Sequence, residues 1–246
     1  MALFSGDGWL FLLRWFHFLA GITWIGMLYY FNFVQTPFFA KAEAPVRSGM
    51  ITGGLLASAL WWFRWGAMFT LITGWLYLLH VIFAKYGGFG GFFATDYGWK
   101  IFFGGMLGTL MWFNVWFIIW PAQQVVMASA AEVARGGKAI PEAAARGARG
   151  GVTSRTNTLL SIPMLFFMGA ASHLTMSSGP VSAGQGWAAL ILLVIVMAAA
   201  EINALVGPAT PDKASGGKKM LSTLKGTFWA GFVLTAILYV GLDWIF

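Results

Sequence analysis

Long apolar stretches constrain the fold of this chain more than any other feature. Several are about 20 residues or longer, which is the length that an α-helix needs to cross a bilayer core of roughly 30 Å. Hydrophobic residues make up 59% of the 246 residues and charged residues only 9%, against roughly 25% charged residues in soluble domains. A soluble domain could not bury this much apolar surface. We therefore predict an all-α, polytopic transmembrane helical bundle embedded in a lipid bilayer.

Hydropathy predicts about six membrane spans within a single domain that covers residues 1–246, with no convincing internal repeat. The spans lie near 9–34, 61–84, 101–121, 157–176, 187–206 and 226–246. The connection at 122–156 is rich in alanine and basic residues, so we predict short helices at the inner membrane surface there. The first apolar stretch lacks a small-residue cleavage site and is interpreted as a retained span, not a signal peptide.

The basic residues cluster in alternate connections and so predict the orientation of the spans. One set comprises Lys41, Arg47, Arg64, Arg135, Lys138, Arg146, Arg149, Arg155, Lys213, Lys218, Lys219 and Lys225. The connections on the opposite side have only Lys85 and Lys100. Because lysine and arginine are retained on the cytoplasmic side, both termini are predicted to face the periplasm of a bacterial inner membrane. The net charge of +7 is then a topology signal, and no nucleic-acid partner is expected.

The chain contains no cysteine. This excludes a disulfide framework, thiolate metal sites and covalent haem attachment through a C-x-x-C-H motif. Any haem in this protein is therefore expected to be bound non-covalently.

All three histidines of the chain are predicted to lie in the outer half of the membrane. His17 is about nine residues into the first span, or roughly 13 Å from its end at 1.5 Å per residue. His80 lies near the end of the second span and His173 in the last turn of the fourth. Ionisable groups inside a membrane are functional candidates, and neutral imidazole is a good axial ligand for haem iron.

Small and basic neighbours strengthen the haem hypothesis. Gly21 lies one turn after His17, and Gly169 lies one turn before His173. Glycine beside a ligating histidine leaves room for a flat macrocycle. Arg14 shares the helix face of His17 and lies nearer the surface, where a haem propionate is expected. We predict haem b with His17 and His173 as its iron ligands.

Each histidine also has an ordinary structural interpretation. His80 lies among aromatic residues at the membrane boundary, where water can satisfy it, so it is only the substitute ligand. His173 can cap its helix, and His17 can make a simple hydrogen bond between helices.

A second group of polar residues lies nearer the predicted cytoplasmic side. The candidates for substrate binding are Gln35, Asn114, Arg155, Asn157 and Glu201. These side chains are suited to hydrogen-bonding a polar anion or a quinone head group. A carboxylate at the depth of Glu201 suggests a proton route or a buried ion pair, for which Arg155 is the expected partner.

Four segments carry a resemblance to a known family. They are "LRWFHFLAGITWIG" (13–26), "WWFRWGAMFTLITG" (61–74), "GGMLGTLMWFNVWFIIWPAQ" (104–123) and "SRTNTLLSIPMLFFMGAASHLTM" (154–176). The chain resembles the membrane-embedded urate oxidase N-terminal family, whose longer members are the bacterial cytochrome-c-coupled urate hydroxylases called PuuD. The last two predicted spans are less similar.

The resemblance implies a helical bundle with b-type haem that couples oxidation of a small molecule to a c-type cytochrome. His17 and His173 fall on family histidines, and Asn114 and Asn157 on family asparagines. The segment "KIFFGGMLGT" (100–109) has phenylalanine where family members often have histidine. The longer members end in a cytochrome c domain. Since this sequence has none, a separate periplasmic cytochrome c is expected.

Three functions follow from these observations. The leading hypothesis is an oxidoreductase that passes electrons from a urate-like substrate or a quinol to cytochrome c. The first alternative is a non-catalytic accessory subunit of a larger respiratory or photosynthetic membrane complex. The second is copper handling, because Met164, Met168, His173 and Met176 lie on one span and soft ligands suit Cu(I).

Overall fold

Helices form all of the regular secondary structure in residues 4–177, 179–210 and 213–246, which this computed structural model describes. The long helices are α1 (Gly6–Lys41), α3 (Leu55–Tyr86), α5 (Asp96–Ala134), α6 (Ala143–His173), α7 (Ala183–Leu205) and α9 (Leu224–Ile245). Short helices α2 (Ala44–Thr52), α4 (Phe89–Phe93) and α8 (Gly216–Leu221) lie in the connections. The prediction of an all-α fold is confirmed for these residues.

Contacts between chain connections show how the long helices alternate in direction. The backbone N–H of Val181, just before α7, donates to the carbonyl of Ala94, just before α5, at 2.9 Å. The side-chain amide of Gln185 in α7 donates to the carbonyl of Phe246, just after α9, at 3.1 Å. The starts of α5 and α7 and the end of α9 therefore meet at one end of the bundle.

Five of the long helices, α1, α3, α5, α7 and α9, are long and apolar enough to cross a membrane. Their outward faces carry large exposed apolar side chains, such as Trp187 and Ile195 on α7 and Trp229 and Phe232 on α9. This surface suits lipid and not water. These helices are those of a membrane protein.

The remaining long helix, α6, is central and is more polar. It packs against α1, α5, α7 and α9, and its buried residues include Thr153, Asn157 and Ser161. These buried residues lie on the face of α6 that neighbouring helices cover, so they are not presented to lipid. Polar residues on such a face instead form hydrogen bonds with neighbouring helices, which explains why α6 is less apolar than the other five long helices although hydropathy predicted a span at 157–176.

Two of the long helices contain a π-helical turn, at Tyr30–Gln35 in α1 and at Val115–Ile119 in α5. Pro37 and Pro121 follow these turns. Proline lacks a backbone N–H, so the preceding turn loses a regular hydrogen bond. The wider π-helical turn accommodates the lost hydrogen bond. It also rotates the residues that follow it about the helix axis, compared with an uninterrupted α-helix.

The helices extend beyond the predicted spans. Of the predicted connection 122–156, only residues 135–142 lie outside α5 and α6. Lys100, which was expected in an outer connection, lies inside α5 and is 1% exposed. The reason is that the Thr95 hydroxyl accepts a hydrogen bond from the Gly98 N–H at 3.0 Å and begins the helix there.

Candidate functional site

A cavity of about 700 Å³ lies between α1, α3, α5 and α6. Every residue predicted to surround a cofactor, except His80, lines it: Arg14, His17, Gly21, Gly169 and His173. Its volume falls within the roughly 300–1,000 Å³ of small-molecule and cofactor sites. We call it the histidine cavity.

The orientation of His17 is set by the backbone of α3. Its Nδ1 lies 2.9 Å from the carbonyl oxygen of Thr70. Because a carbonyl oxygen only accepts hydrogen bonds, Nδ1 carries the proton, and Nε2 of the neutral ring keeps its lone pair. Histidines that bind metals usually donate their other ring nitrogen to a carbonyl or carboxylate in this way.

Glycine residues make the room around this imidazole. A Cβ atom on Gly74 would lie 2.8 Å from Cε1 of His17, so no larger residue fits without moving the ring. Gly105 and Gly169 line the cavity with nothing within 4 Å of an added Cβ. The cavity is therefore bounded partly by bare backbone, which allows a flat ligand to approach the helices closely.

A positive charge lies at the exposed edge of the histidine cavity. The Arg14 guanidinium donates a hydrogen bond to the Tyr77 hydroxyl and lies 4.9 Å from the centre of that ring. Both residues line the cavity. The arrangement suits an acidic group at the edge of an otherwise apolar ligand.

His173 is the last residue of α6, and a buried ion pair holds the chain just beyond it. The Lys100 ammonium lies 2.9 Å from the Asp96 carboxylate and also donates to the carbonyl of Leu174. The backbone N–H of Met176 donates to the same carboxylate at 2.8 Å. The end of α6 is thereby tied to the start of α5.

His80 is on α3 and does not line the histidine cavity. It lies six residues beyond Gly74, so at about 100° per residue it points to another face of the helix. The structure therefore does not bring the substitute ligand to the other two histidines.

The methionines of the copper hypothesis are only partly brought together. Met164 and Met168 line the histidine cavity with His173, whereas Met176 does not. Among the described residues, no group of three or more histidine, cysteine, aspartate or glutamate side chains is placed to hold a metal ion.

Three of the predicted substrate-binding residues form a hydrogen-bonded network between α5, α6 and α7. The Asn114 amide donates to the carbonyl oxygen of the Asn157 side chain at 2.9 Å and to the Glu201 carboxyl group at 2.7 Å. The Asn157 amide donates to the carbonyl of Met111 at 2.9 Å. The expected ion pair between Glu201 and Arg155 is not among those formed by the described residues, because Glu201 faces Asn114 instead.

The other two predicted substrate-binding residues line a second cavity. Gln35 and Arg155 border a space of about 290 Å³, which we call the polar cavity. Its remaining polar lining includes Asn32, Gln123, Ser154 and Lys218. Asn114, Asn157 and Glu201 do not line it, so the predicted group divides into a buried network and a cavity.

The sequence model of the family described as urate oxidase N-terminal matches residues 92–237. The match covers more than half of the chain. The chain belongs to the urate oxidase N-terminal family. No curated protein and no solved structure matches it.

The family match begins before α5 and ends within α9. It contains His173, the Asp96–Lys100 pair and the Asn114 network, whereas His17 and Gly74 precede it. The last two long helices, α7 and α9, were less similar to the family in sequence but lie largely within the match. The histidine cavity combines family residues of α5 and α6 with residues of α1 and α3.

Thr70, Gly74 and Tyr77 were not among the predicted site residues. No pattern within α3 marks them, because their role depends on how α3 packs against α1. The Asp96–Lys100 pair did have a signal, since opposite charges four residues apart on one helix are positioned to interact.

Proposed function

We propose that this member of the urate oxidase N-terminal family is a b-haem redox protein of the bacterial inner membrane. His17 and His173 would hold the haem iron in the histidine cavity. The observation that carries the proposal is that both histidines line one cavity while the Thr70 carbonyl leaves Nε2 of His17 free. The family membership and the apolar helices are compatible with it.

The residues of the histidine cavity fit a haem in three respects. The volume and the glycine-lined walls suit a flat macrocycle, Arg14 suits a propionate, and neutral imidazole is a common haem ligand. When bound, a haem there would supply one-electron redox chemistry. The protein supplies the ligand tautomer through Thr70, the positive charge at Arg14 and the apolar surroundings that keep water away.

The proposed electron path runs from a small polar substrate, such as a urate-like compound or a quinol, to a periplasmic cytochrome c. His173 is exposed at the end of α6, which supports transfer at that end of the bundle. Most of the basic residues belong to the connections at the opposite end, so the positive-inside rule favours a periplasmic location for the histidine cavity.

Absorption spectra of the purified full chain test the haem proposal. We expect a Soret band in the oxidised protein and a sharpened α-band after dithionite. Acidified acetone should extract the pigment, because no cysteine is available to attach it. A colourless protein that develops no Soret band after haem addition contradicts the proposal.

Reporter fusions test the proposed six-span orientation, with α6 as the fourth span. Alkaline phosphatase fused after Phe246 should be active in the periplasm, and green fluorescent protein inserted at Gly136–Gly137 should fluoresce in the cytoplasm. The opposite pattern would place the histidine cavity at the cytoplasmic face.

A further inference from the structure

We infer that the polar cavity is a binding site for a small organic anion that also carries an N–H or O–H donor. The inference is independent of the haem proposal. Nine residues of α6 separate Met164 in the histidine cavity from Arg155 in the polar cavity, which is about 13 Å at 1.5 Å per residue. A ligand in the polar cavity therefore does not occupy the space between the two histidines.

The charges of the polar cavity favour an anion. Arg155 and Lys218 line it, and no described residue of its lining is acidic. The Nη1 atom of Arg155 is buried and has no hydrogen-bond partner among the described residues. Arg155 as a whole is only half-buried, so its charge is not removed from water, but its Nη1 atom is available to donate a charge-assisted hydrogen bond to an anionic group in the cavity.

Lys218 adds a second cation in a fixed position. Its side chain is 8% exposed, and its ammonium donates to the carbonyl of Val206. An ammonium has three donors, so this bond leaves others available for a ligand. Lys218 on the short helix α8 therefore adds a positive charge to the lining of the polar cavity.

Gln35 requires that the ligand also donate a hydrogen bond. Its Oε1 atom is buried and has no partner among the described residues. The neighbouring polar groups do not supply one, because the Asn32 amide already donates to the carbonyl of Leu28 at 2.9 Å and to the Ser154 hydroxyl at 2.8 Å. An anion that carries an N–H or O–H group satisfies Gln35 and Arg155 together.

Apolar side chains limit the shape of the ligand. Phe31 and Phe63 line the cavity, and their ring centroids are 5.4 Å apart in an edge-to-face arrangement. A volume of about 290 Å³ lies at the lower limit of ligand sites. A molecule with one compact ring and an acidic substituent has the matching chemistry.

Calorimetric titration of the purified full chain with 4-hydroxybenzoate tests the inference. This probe combines a carboxylate, one ring and a hydroxyl donor. We expect Arg155→Gln to weaken its binding at least tenfold, since the carboxylate of the probe then loses its cationic partner. Arg146→Gln, at an exposed position of the same helix, should not change the affinity. The neutral 4-hydroxybenzamide should bind at least tenfold more weakly than 4-hydroxybenzoate.

The role of Gln35 has its own comparison. Benzoate lacks the hydroxyl donor, so the wild-type protein should prefer 4-hydroxybenzoate by roughly fivefold, the value of one net hydrogen bond. In Gln35→Leu the two probes should bind equally.

Several results would overturn the inference. One is that 4-hydroxybenzoate does not bind to the wild type at millimolar concentration. Another is that it binds equally well to Arg155→Gln and to the wild type. If Arg155→Gln shows no cooperative thermal transition, Lys218→Gln takes its place with the same expectation. One phospholipid per chain that co-purifies with the wild type and is lost in Arg155→Gln assigns the cavity to a lipid headgroup and overturns the soluble ligand. Titrations of haem-loaded and haem-free protein with 4-hydroxybenzoate distinguish failure of this inference from failure of the haem proposal, because the inference expects binding to both forms.

Discussion

His17 on α1 is oriented by the backbone carbonyl of Thr70 on α3, which lies 2.9 Å from its Nδ1 atom. The bond joins two helices that pack extensively against each other. Since the acceptor is a main-chain atom, substitution of the Thr70 side chain does not remove it. The imidazole therefore responds to changes that move α1 relative to α3, or that compete for its space.

Gly74→Ala should disturb haem binding without removing either histidine. The added Cβ would lie 2.8 Å from Cε1 of His17, so the ring must turn away from Thr70. We expect a shifted Soret maximum and at least tenfold weaker haem binding in a titration of the haem-free protein. Gly49→Ala, at an exposed position with open space around an added Cβ, is the control. Equal haem affinity of the two variants would remove Gly74 from the site.

Replacement of the histidines should affect the haem unequally. We expect His17→Ala and His173→Ala to lose haem or convert it to a high-spin spectrum, because each removes one of the two proposed ligands, which line the histidine cavity. His80→Ala should keep most of the low-spin spectrum, because His80 does not line that cavity. Absorption spectra of the three purified variants give the measurement. Loss of haem from His80→Ala with retention in His173→Ala would reassign the ligands to His17 and His80.

Lys100→Met should lower both stability and haem binding. It leaves Asp96 without its cationic partner and releases the carbonyl of Leu174, which follows His173. Loss of one partner from a buried pair destabilises by about 3–5 kcal/mol, and the lower part of that range applies because the Asp96 side chain is 16% exposed. The thermal midpoint in detergent should fall, with a perturbed spectrum.

The pair of Arg135 and Glu132 provides the control for Lys100→Met. These side chains are 72% and 45% exposed, and surface pairs contribute about 0–1 kcal/mol. Arg135→Ala should therefore leave the thermal midpoint and spectrum nearly unchanged. The double variant Lys100→Met/Asp96→Asn should recover part of the stability, because it removes the unpaired charge. No recovery would indicate that the pair does not act through charge.

Asn114→Leu should destabilise the bundle more than Glu201→Gln does. The Asn114 amide supplies hydrogen bonds to both Asn157 and Glu201, so its loss leaves two acceptors unsatisfied. Unsatisfied buried groups cost about 1–3 kcal/mol each. Glu201→Gln keeps an oxygen that accepts from Asn114. Thermal unfolding of both variants in one detergent gives the comparison, and a larger loss for Glu201→Gln would contradict the assigned direction of these bonds.

The sequence by itself determined the all-helical fold and the long apolar helices suited to a membrane. Span length and apolar composition reflect what a bilayer requires of each helix separately, so they can be read locally. The glycines near His17 and His173 belong to this level as well, since helical spacing indicated them. Asn114 and Asn157 were predicted only as separate site candidates, and their hydrogen bond is a finding of the structure.

Only the tertiary structure decided which residues meet. The rotation of each helix about its axis depends on packing against its neighbours, and the π-helical turns before Pro37 and Pro121 change that rotation within a helix. For this reason His80 lies apart from the other histidines, Gly74 contacts His17, and Glu201 faces Asn114 rather than Arg155. The sequence predicted the span within α6 but not its central position, because the neighbours of a helix are decided by packing.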